Sequence, residues 1–391
     1  MQNRWIILGV LFLVRLTMAF QFQLIASVAP LYMDVFGVGL GDIGLMIGLY
    51  LIPGLVIAYP GGAIGAWLGD KPAVTLALVL MVLGGAVMAL VPVWDAQLGG
   101  RVIAGVGGVM LNVLMTKMVA DLFAGREIAT AMGLFVTSWP VGIALALLVG
   151  PVIAGAGGLD AMLWAAVLFP LVGLILFVLA YHPVGAGQVA AAPPPRTPLG
   201  GPVLICILIA GGIWGLYNAA FGMVFGFGPT LLAERGWSLQ ASSSTISLVI
   251  WLFALFAPLG GVLADRLGRP DAVQVVGVAA MLVSLLVVAL TDAVFVPLIV
   301  LGLLAGLAAG PIMSLPSVVL SAGNRAVGMG VFFTVNYVAT VFAPILAGSM
   351  AEAFGGARTT FLFGAGLLVL SLICLWAFRS VSGRAVASPA P

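Results

Sequence analysis

The chain has 391 residues, of which 63% are hydrophobic and only 7% charged, with a formal net charge of +2 and one histidine. Soluble chains run at roughly 25% charged residues, so the composition excludes a soluble domain and reads as an integral membrane protein. A charge of +2 is too small to point to nucleic acid, and Cys206 and Cys374, in separate apolar runs, give no disulfide framework, metal cluster or redox pair.

Apolar runs near the ~20 residues needed to cross a bilayer recur along the chain, and the alternating pattern of barrel strands is absent, so the expected fold is all-helical. The first run, 5–33, follows only four residues and continues past Tyr32 without a small-residue cleavage site; it is expected to stay as helix 1 and not to be a signal peptide. It carries Arg15, Gln21 and Gln23. At ~1.5 Å per residue Arg15 lies about 15 Å deep, where a cation costs at least ~2.5 kcal/mol. It should therefore face a polar cavity, with Met18, Ala19, Phe22, Gln23 and Ala26 on the same helical face. Two roles fit. In the reading carried forward, Arg15 and Gln23 bind a substrate anion; in the other, carbonyls and hydroxyls of helices 4 and 5 satisfy the arginine and lock the first bundle.

Helices 2 and 3 are expected at 43–68 and 73–93, and helix 4 at 99–121 with Arg101 near one mouth and Lys117 one turn before Asp121 at the other. Lys117 reads as an intrahelical partner of Asp121 or a snorkelling ammonium, with anion passage as the alternative. Helix 5, 128–154, brings Thr137 and Ser138 to comparable depth, and helix 6 spans 161–181, with His182 at its boundary reading as solvated. The stretch "YHPVGAGQVAAAPPPRTPLGG" is Pro/Gly/Ala-rich without amphipathic period and reads as a linker. The expected organisation is a six-helix bundle over 1–181, a cytoplasmic linker over 182–201, a second six-helix bundle over 202–379 and a cytoplasmic tail over 380–391.

The second bundle runs through 202–232, 241–264, 272–291, 295–321, 327–351 and 359–379. In helix 7, Trp214, Tyr217, Asn218 and Phe221 share a face and supply either an aromatic wall with one amide or ordinary packing. In helix 11, Asn336, Tyr337 and Thr340 sit at comparable depth, and an asparagine in a membrane interior requires a partner. Among the charged side chains only Arg15, Arg101 and Lys117 fall within spans; every carboxylate falls at a helix end or in a loop. With both termini inside, the cytoplasmic segments hold Arg4, Lys71, Arg126, Arg196, Arg266, Arg269, Arg325, Arg379 and Arg384, against Arg235 and Arg358 outside, which sets the orientation.

The halves repeat each other. "AWLGDK" matches "GVLADR", pairing Asp70 with Asp265, and "MGLFVT" matches "MGVFFT", pairing Thr137 with Thr334 at nearly the same offset. Paired bundles of this kind hold a substrate near the midplane and rock to expose it to each side in turn. "GGVLADRLGRP" (260–270) resembles the loop signature of the major facilitator superfamily, whereas the first copy departs from it at Ala66 and in "KPAV". "RVIAGVGG" (101–108) is similar to that family's helix 4 motif. The resemblance implies gating roles for Asp70, Lys71, Asp121, Asp265, Arg266 and Arg269, where the aspartates cap helix N-termini or pair with bases. Solvated loop charges are the alternative. It makes Arg101 structural or gating.

A cavity with fixed positive charge, neutral donors and aromatics suits a small anion, which arginine grips through two parallel hydrogen bonds. That is similar to the cyanate and nitrate/nitrite branch of the superfamily, which "NVLMTKMVADLFAGREIATAMG" also resembles. The expectation is a secondary transporter of a small anion (nitrate, nitrite, cyanate or a small carboxylate), with exchange preferred over proton symport. The alternative, a proton-coupled exporter of drugs or other hydrophobic compounds, draws on "VGPVIAG" (149–155) but lacks a carboxylate in the membrane. An enzyme or receptor has no support, no cofactor is expected, and the partners are the substrate and the bilayer of a plasma (inner) membrane, with a monomer compatible.

Overall fold

The computed structural model describes residues 3–57, 68–123, 128–182, 199–321 and 324–387, and all regular secondary structure there is helical. Residues 58–67, Arg126, Glu127, the linker 183–198 with Arg196, and the side chains of Arg325 and Arg384 lie outside that description.

Helix α1 (Arg4–Ser27) starts at Asn3, whose Oδ1 accepts from the Trp5 N–H at 2.9 Å, so one of the orphan amides of the first turn is satisfied. It stops at Val28 because Pro30, in the first turn of α2 (Ala29–Phe36), brings no N–H to continue the ladder. The expected single helix 5–33 is thus broken once. α2 closes on Gly37, at φ 64, and α3 (Leu40–Leu51), α4 (Gly54–Ile57), α5 (Asp70–Leu90), α6 (Trp94–Leu122) and α7 (Ile128–Val136) follow. α8 (Ser138–Ala180) is two limbs joined at Gly157 and Gly158, where φ reaches 66.

The second half contains α9 (Gly201–Glu234), α10 (Leu239–Leu267), α11 (Pro270–Leu290), α12 (Phe295–Ala305), α13 (Ala309–Ser314), α14 (Arg325–Phe354) and α15 (Arg358–Ala387). Ser238 caps α10 by accepting from the Ala241 N–H, and Gly268 in the left-handed region ends it before Pro270 opens α11. Eleven described helices are long and apolar enough to cross a membrane, one of them the 47-residue stretch Leu134–Ala180. Folded back at Gly157 and Gly158, that stretch supplies two crossings, which gives the twelve expected.

Three further expected helices are irregular, and the first of them, 43–68, is interrupted at Ile52 and Pro53 between α3 and α4. The run 128–154 breaks at Thr137, just ahead of Pro140, and 295–321 carries 3-10 turns at Gly306–Ala308 and Leu315–Val318, beside Pro311 and Pro316.

Within the first half α1 packs on α8 and α5 on α6 and α8; within the second, α9 packs on α14 and α15. The halves meet along α3 with α14, α8 with α10, and α1 with α9. Glycines make the first of these crossings close. A Cβ on Gly44 would overlap Pro344 O, one on Gly348 would overlap Leu40 O, and one on Gly48 would lie 2.6 Å from Val341 O. Polar contacts between the halves extend the seal: Ser243 Oγ donates to Ser27 O (3.0 Å), Ser247 Oγ to Ala144 O (2.7 Å) and Gly41 N to Glu352 Oε2 (3.2 Å). All of these lie at the end of the bundle opposite the two termini, here termed the far end.

Candidate functional site

The α1 backbone presents Arg15 to the break between α7 and α8. Nε donates to Asn112 Oδ1 on α6 at 3.0 Å, and Nη1 donates to Phe135 O (3.0 Å), Val136 O (3.3 Å) and Ser138 Oγ (3.1 Å). The guanidinium lies over the Phe135 ring, 4.7 Å from its centroid. One edge of the group is therefore anchored in the first half, as the locking role requires. Its other nitrogen, Nη2, has no hydrogen-bond partner among the described residues and is not among their fully enclosed polar atoms.

Asn112 extends this arrangement to the other half, because its Nδ2 approaches the Tyr337 hydroxyl on α14 at 3.4 Å. Behind Tyr337, Asn218 Nδ2 donates to Asn336 Oδ1 (3.1 Å) and to Trp214 O (2.9 Å). This leaves the Tyr337 O–H and Asn336 Nδ2 as donors without an acceptor among the described residues. Asn112, Thr137, Trp139, Trp214, Asn218 and Asn336 are all partly exposed at mid-span. The seam between the halves at the depth of Arg15, called the gap below, thus holds three donors without an acceptor, from Arg15, Tyr337 and Asn336, and no carboxylate bonds them among the described residues.

On the far-end side the gap is stopped by aromatic rings. Phe22 packs against Trp139 (centroids 5.1 Å), Tyr50 (5.4 Å) and Phe225 (6.3 Å). Gln23 belongs to this stopper: its Nε2 donates across the halves to Phe225 O at 2.6 Å, and its Oε1 is buried without a donor.

The remaining residues singled out in the sequence divide by place. Tyr217 is fully buried inside the second half, its hydroxyl donating to Ala305 O at 2.8 Å, and stacks on Trp214. Thr137 bonds its own preceding turn through Leu134 O (2.7 Å), as Thr340 does through Asn336 O (2.9 Å). Arg101, only 1% exposed, donates to Met46 O, Gln21 O and Phe22 O and lies over Tyr50, so it ties α1, α3 and α6 together. Gln21 adds bonds to Met81 O and Ala166 O. Both are locks within the first half, away from the gap.

At the terminal end Lys117 bridges Asp121 (2.9 Å), the expected intrahelical partner, and Asp70 (3.1 Å) at the start of α5. Lys71 Nζ donates to Val178 O and Tyr181 O, satisfying carbonyls at the end of α8. Asp265, Arg266 and Arg269 are exposed, and Asp271 pairs with Arg379 within the second half.

Asn112 was not singled out in the sequence, although a signal exists. It stands ten residues before the end of α6 and Arg15 eleven after the start of α1, so both sit roughly 15 Å from the terminal end by helical rise.

The family model described as Major Facilitator Superfamily matches residues 11–225 and again 203–391. An MFS-type transporter of Aspergillus terreus is 31% identical over 107 residues, covering 27% of this chain and 19% of that protein. The inner membrane transport protein YajR of Escherichia coli is 28% identical over 137 residues, 35% of this chain and 30% of that protein. The chain spans less than a third of the length of these curated relatives. Among solved structures, a bacterial homolog to the human lysosomal transporter Spinster, inward-facing and unoccupied, matches with a TM-score of 0.79 at 16% identity over 99% of both chains. The human organic anion transporter MFSD10 matches at 0.67 and 20% identity over 96% of this chain and 100% of its own. At such identities these structures show the fold alone.

Proposed function

This chain belongs to the major facilitator superfamily, whose members are secondary transporters built from two six-helix halves, and on that premise we propose that it carries a small anion bound by Arg15 between the halves. The observation that carries this reading is Arg15 itself. It is a permanent charge 8% exposed at mid-span, with Nη2 left without a hydrogen-bond partner and no carboxylate to neutralise it among the described residues. Tyr337 and Asn336 complete a set of donors, Trp214 and Trp139 the walls. A planar anion such as nitrate, nitrite or a small carboxylate matches a guanidinium edge flanked by neutral donors.

A second reading, a proton-coupled exporter of hydrophobic compounds, draws on the rings of Phe22, Trp139, Phe225 and Trp214 near the gap, and on the curated relatives named for biosynthesis clusters. A cationic cargo meets the wrong charge at Arg15. A hydrophobic cargo leaves the free donors unpaired, at about 1–3 kcal/mol per group.

On the positive-inside pattern of the basic loop residues, the terminal end is the cytoplasmic one in this reading, and the far end, closed by contacts between the halves, the outer one. The same charge pattern bears on coupling. A proton-coupled cycle commonly uses a carboxylate or histidine in the membrane; arginine does not deprotonate, and Lys117 is engaged by two aspartates at the terminal end of α6. Anion exchange follows as the expected mode. In proteoliposomes, preloading with unlabelled nitrate should accelerate uptake of labelled nitrate at least tenfold over empty vesicles, with little response to an inward proton gradient. Strong stimulation by that gradient, lost in Lys117→Ala or His182→Ala, would contradict exchange.

A further inference from the structure

The two halves provide an internal control for the way Arg15 is held. The repeat that pairs "MGLFVT" with "MGVFFT" pairs Ser138 with Val335, Trp139 with Asn336 and Pro140 with Tyr337. In the second half the helix runs unbroken through these positions, from Arg325 to Phe354, and Thr334 Oγ1 bonds Gly330 O in the regular i−4 manner. In the first half, where the arginine is, the helix breaks at Thr137, between α7 and α8. The position matching Arg15 in α9 falls among Ala210, Gly211 and Gly212, without charge. Break and arginine occur together in one half and are both absent from the other.

The chemistry of the break accounts for one of the two carbonyls that hold the arginine. In a helix, the carbonyl of residue 136 accepts from the amide of residue 140, but Pro140 has no N–H to give. The next carbonyl, Thr137 O, is taken by the Val141 N–H at 3.1 Å, so the ladder resumes directly after the gap. Val136 O is left over and accepts from Arg15 Nη1 at 3.3 Å, beside Phe135 O at 3.0 Å. Ser138, the first residue after the break, is fully buried and adds its Oγ to the same nitrogen while also donating to Phe135 O at 2.6 Å.

We infer that Pro140 is the positioning residue of Arg15: by withholding a backbone donor it leaves Val136 O to anchor Nη1, which fixes the guanidinium so that Nη2 is presented to the gap. Pro140 itself touches no substrate in this account. The inference rests on Arg15 being the anion ligand only for its consequence in transport; the anchoring stands on geometry alone.

The experiment uses the purified full chain in detergent, with phenylglyoxal as an arginine reagent and modification read at the Arg15 and Arg101 peptides by mass spectrometry. Pro140→Ala supplies the missing N–H, so Val136 O returns to the helix ladder, and the Arg15 modification rate should rise about tenfold, the effect of losing one charge-assisted bond. Arg101, held by three carbonyls elsewhere, should stay protected and so report an intact fold. Ser138→Ala, which removes a second Nη1 acceptor without touching the backbone, should raise the Arg15 rate in the same direction. It decides the matter if Pro140→Ala exposes Arg101 as well. In vesicles, Pro140→Ala should raise the nitrate KM several-fold with kcat within about twofold. A merely structural proline would lower the melting temperature and kcat and leave the Arg15 rate and KM unmoved. An Arg15 rate unchanged in both variants, with Arg101 protected, overturns the inference. A faster Arg15 rate with no effect on nitrate transport instead removes the anion-ligand reading and leaves the anchoring in place.

Discussion

Arg15→Ala is expected to abolish transport of the anion, with initial rates in proteoliposomes falling at least ~100-fold, because both the charge and the paired donors of the guanidinium are lost. The substitution also releases Asn112, Phe135 O, Val136 O and Ser138 from their shared partner. The stability lost with these bonds is about 1–3 kcal/mol. Arg101 and Gln21 still tie α1 to α3, α5, α6 and α8, so the protein should remain folded and monodisperse, which size exclusion checks. Arg15→Lys restores the charge but not the planar fork that reaches Asn112, the carbonyls and the gap together, and should recover no more than about a tenth of the rate. Wild-type transport by Arg15→Ala would show that Arg15 is only a lock.

The second large effect is expected at the crossing of α3 and α14. A side chain at Gly44 meets the backbone oxygen of Pro344, which cannot turn aside as a side chain does. Gly44→Val should therefore prevent closure of the far end, trap the protein with that end parted and cut transport about 100-fold or more, since alternating access needs both closures. The readout is a cysteine placed by Ser243→Cys in a Cys206→Ser, Cys374→Ser background. Ser243 is fully buried in the sealed state and bonded to Ser27 O. Labelling by an impermeant maleimide should be slow with Gly44 and at least about tenfold faster with valine, as expected for a shift from a minor to a dominant open state. Unchanged labelling and unchanged transport would show that the crossing is not a gate.

Much of this was legible in the sequence because membrane burial makes charge expensive. Arg15, Arg101 and Lys117 stood out against apolar runs, and the apolar runs themselves marked the crossings. The partners that decide between roles were less legible, since they come from other helices. Lys117 showed its i+4 neighbour Asp121, but Asp70, forty-seven residues away, comes beside it only through the packing of α5 on α6. Periodicity put Trp214, Tyr217 and Asn218 on one face of α9, yet that face is wide enough to be shared. The rotation of the helix sends the Tyr217 hydroxyl to Ala305 O and leaves Asn218 at the gap. The irregular stretches had local signals in Pro30, Pro140, Pro311 and Pro316. The expected helices 5–33, 128–154 and 295–321 run straight through these prolines, but inside a span a proline frees a carbonyl, and at Pro140 that carbonyl holds the arginine.

The measurement closest to the central claim is a thermal-shift series on purified wild-type protein and Arg15→Ala with nitrate, nitrite, cyanate, thiocyanate, acetate and, as an opposite-charge control, tetraphenylphosphonium. A ligand bound to the folded state raises its apparent stability by mass action, by about 2.7 kcal/mol at a hundred times its dissociation constant. At least one of the anions should raise the melting temperature of the wild-type protein by several degrees with saturation, and that shift should vanish in Arg15→Ala. Stabilisation by tetraphenylphosphonium alone, or an anion shift of equal size in Arg15→Ala, would contradict an anion site built on Arg15.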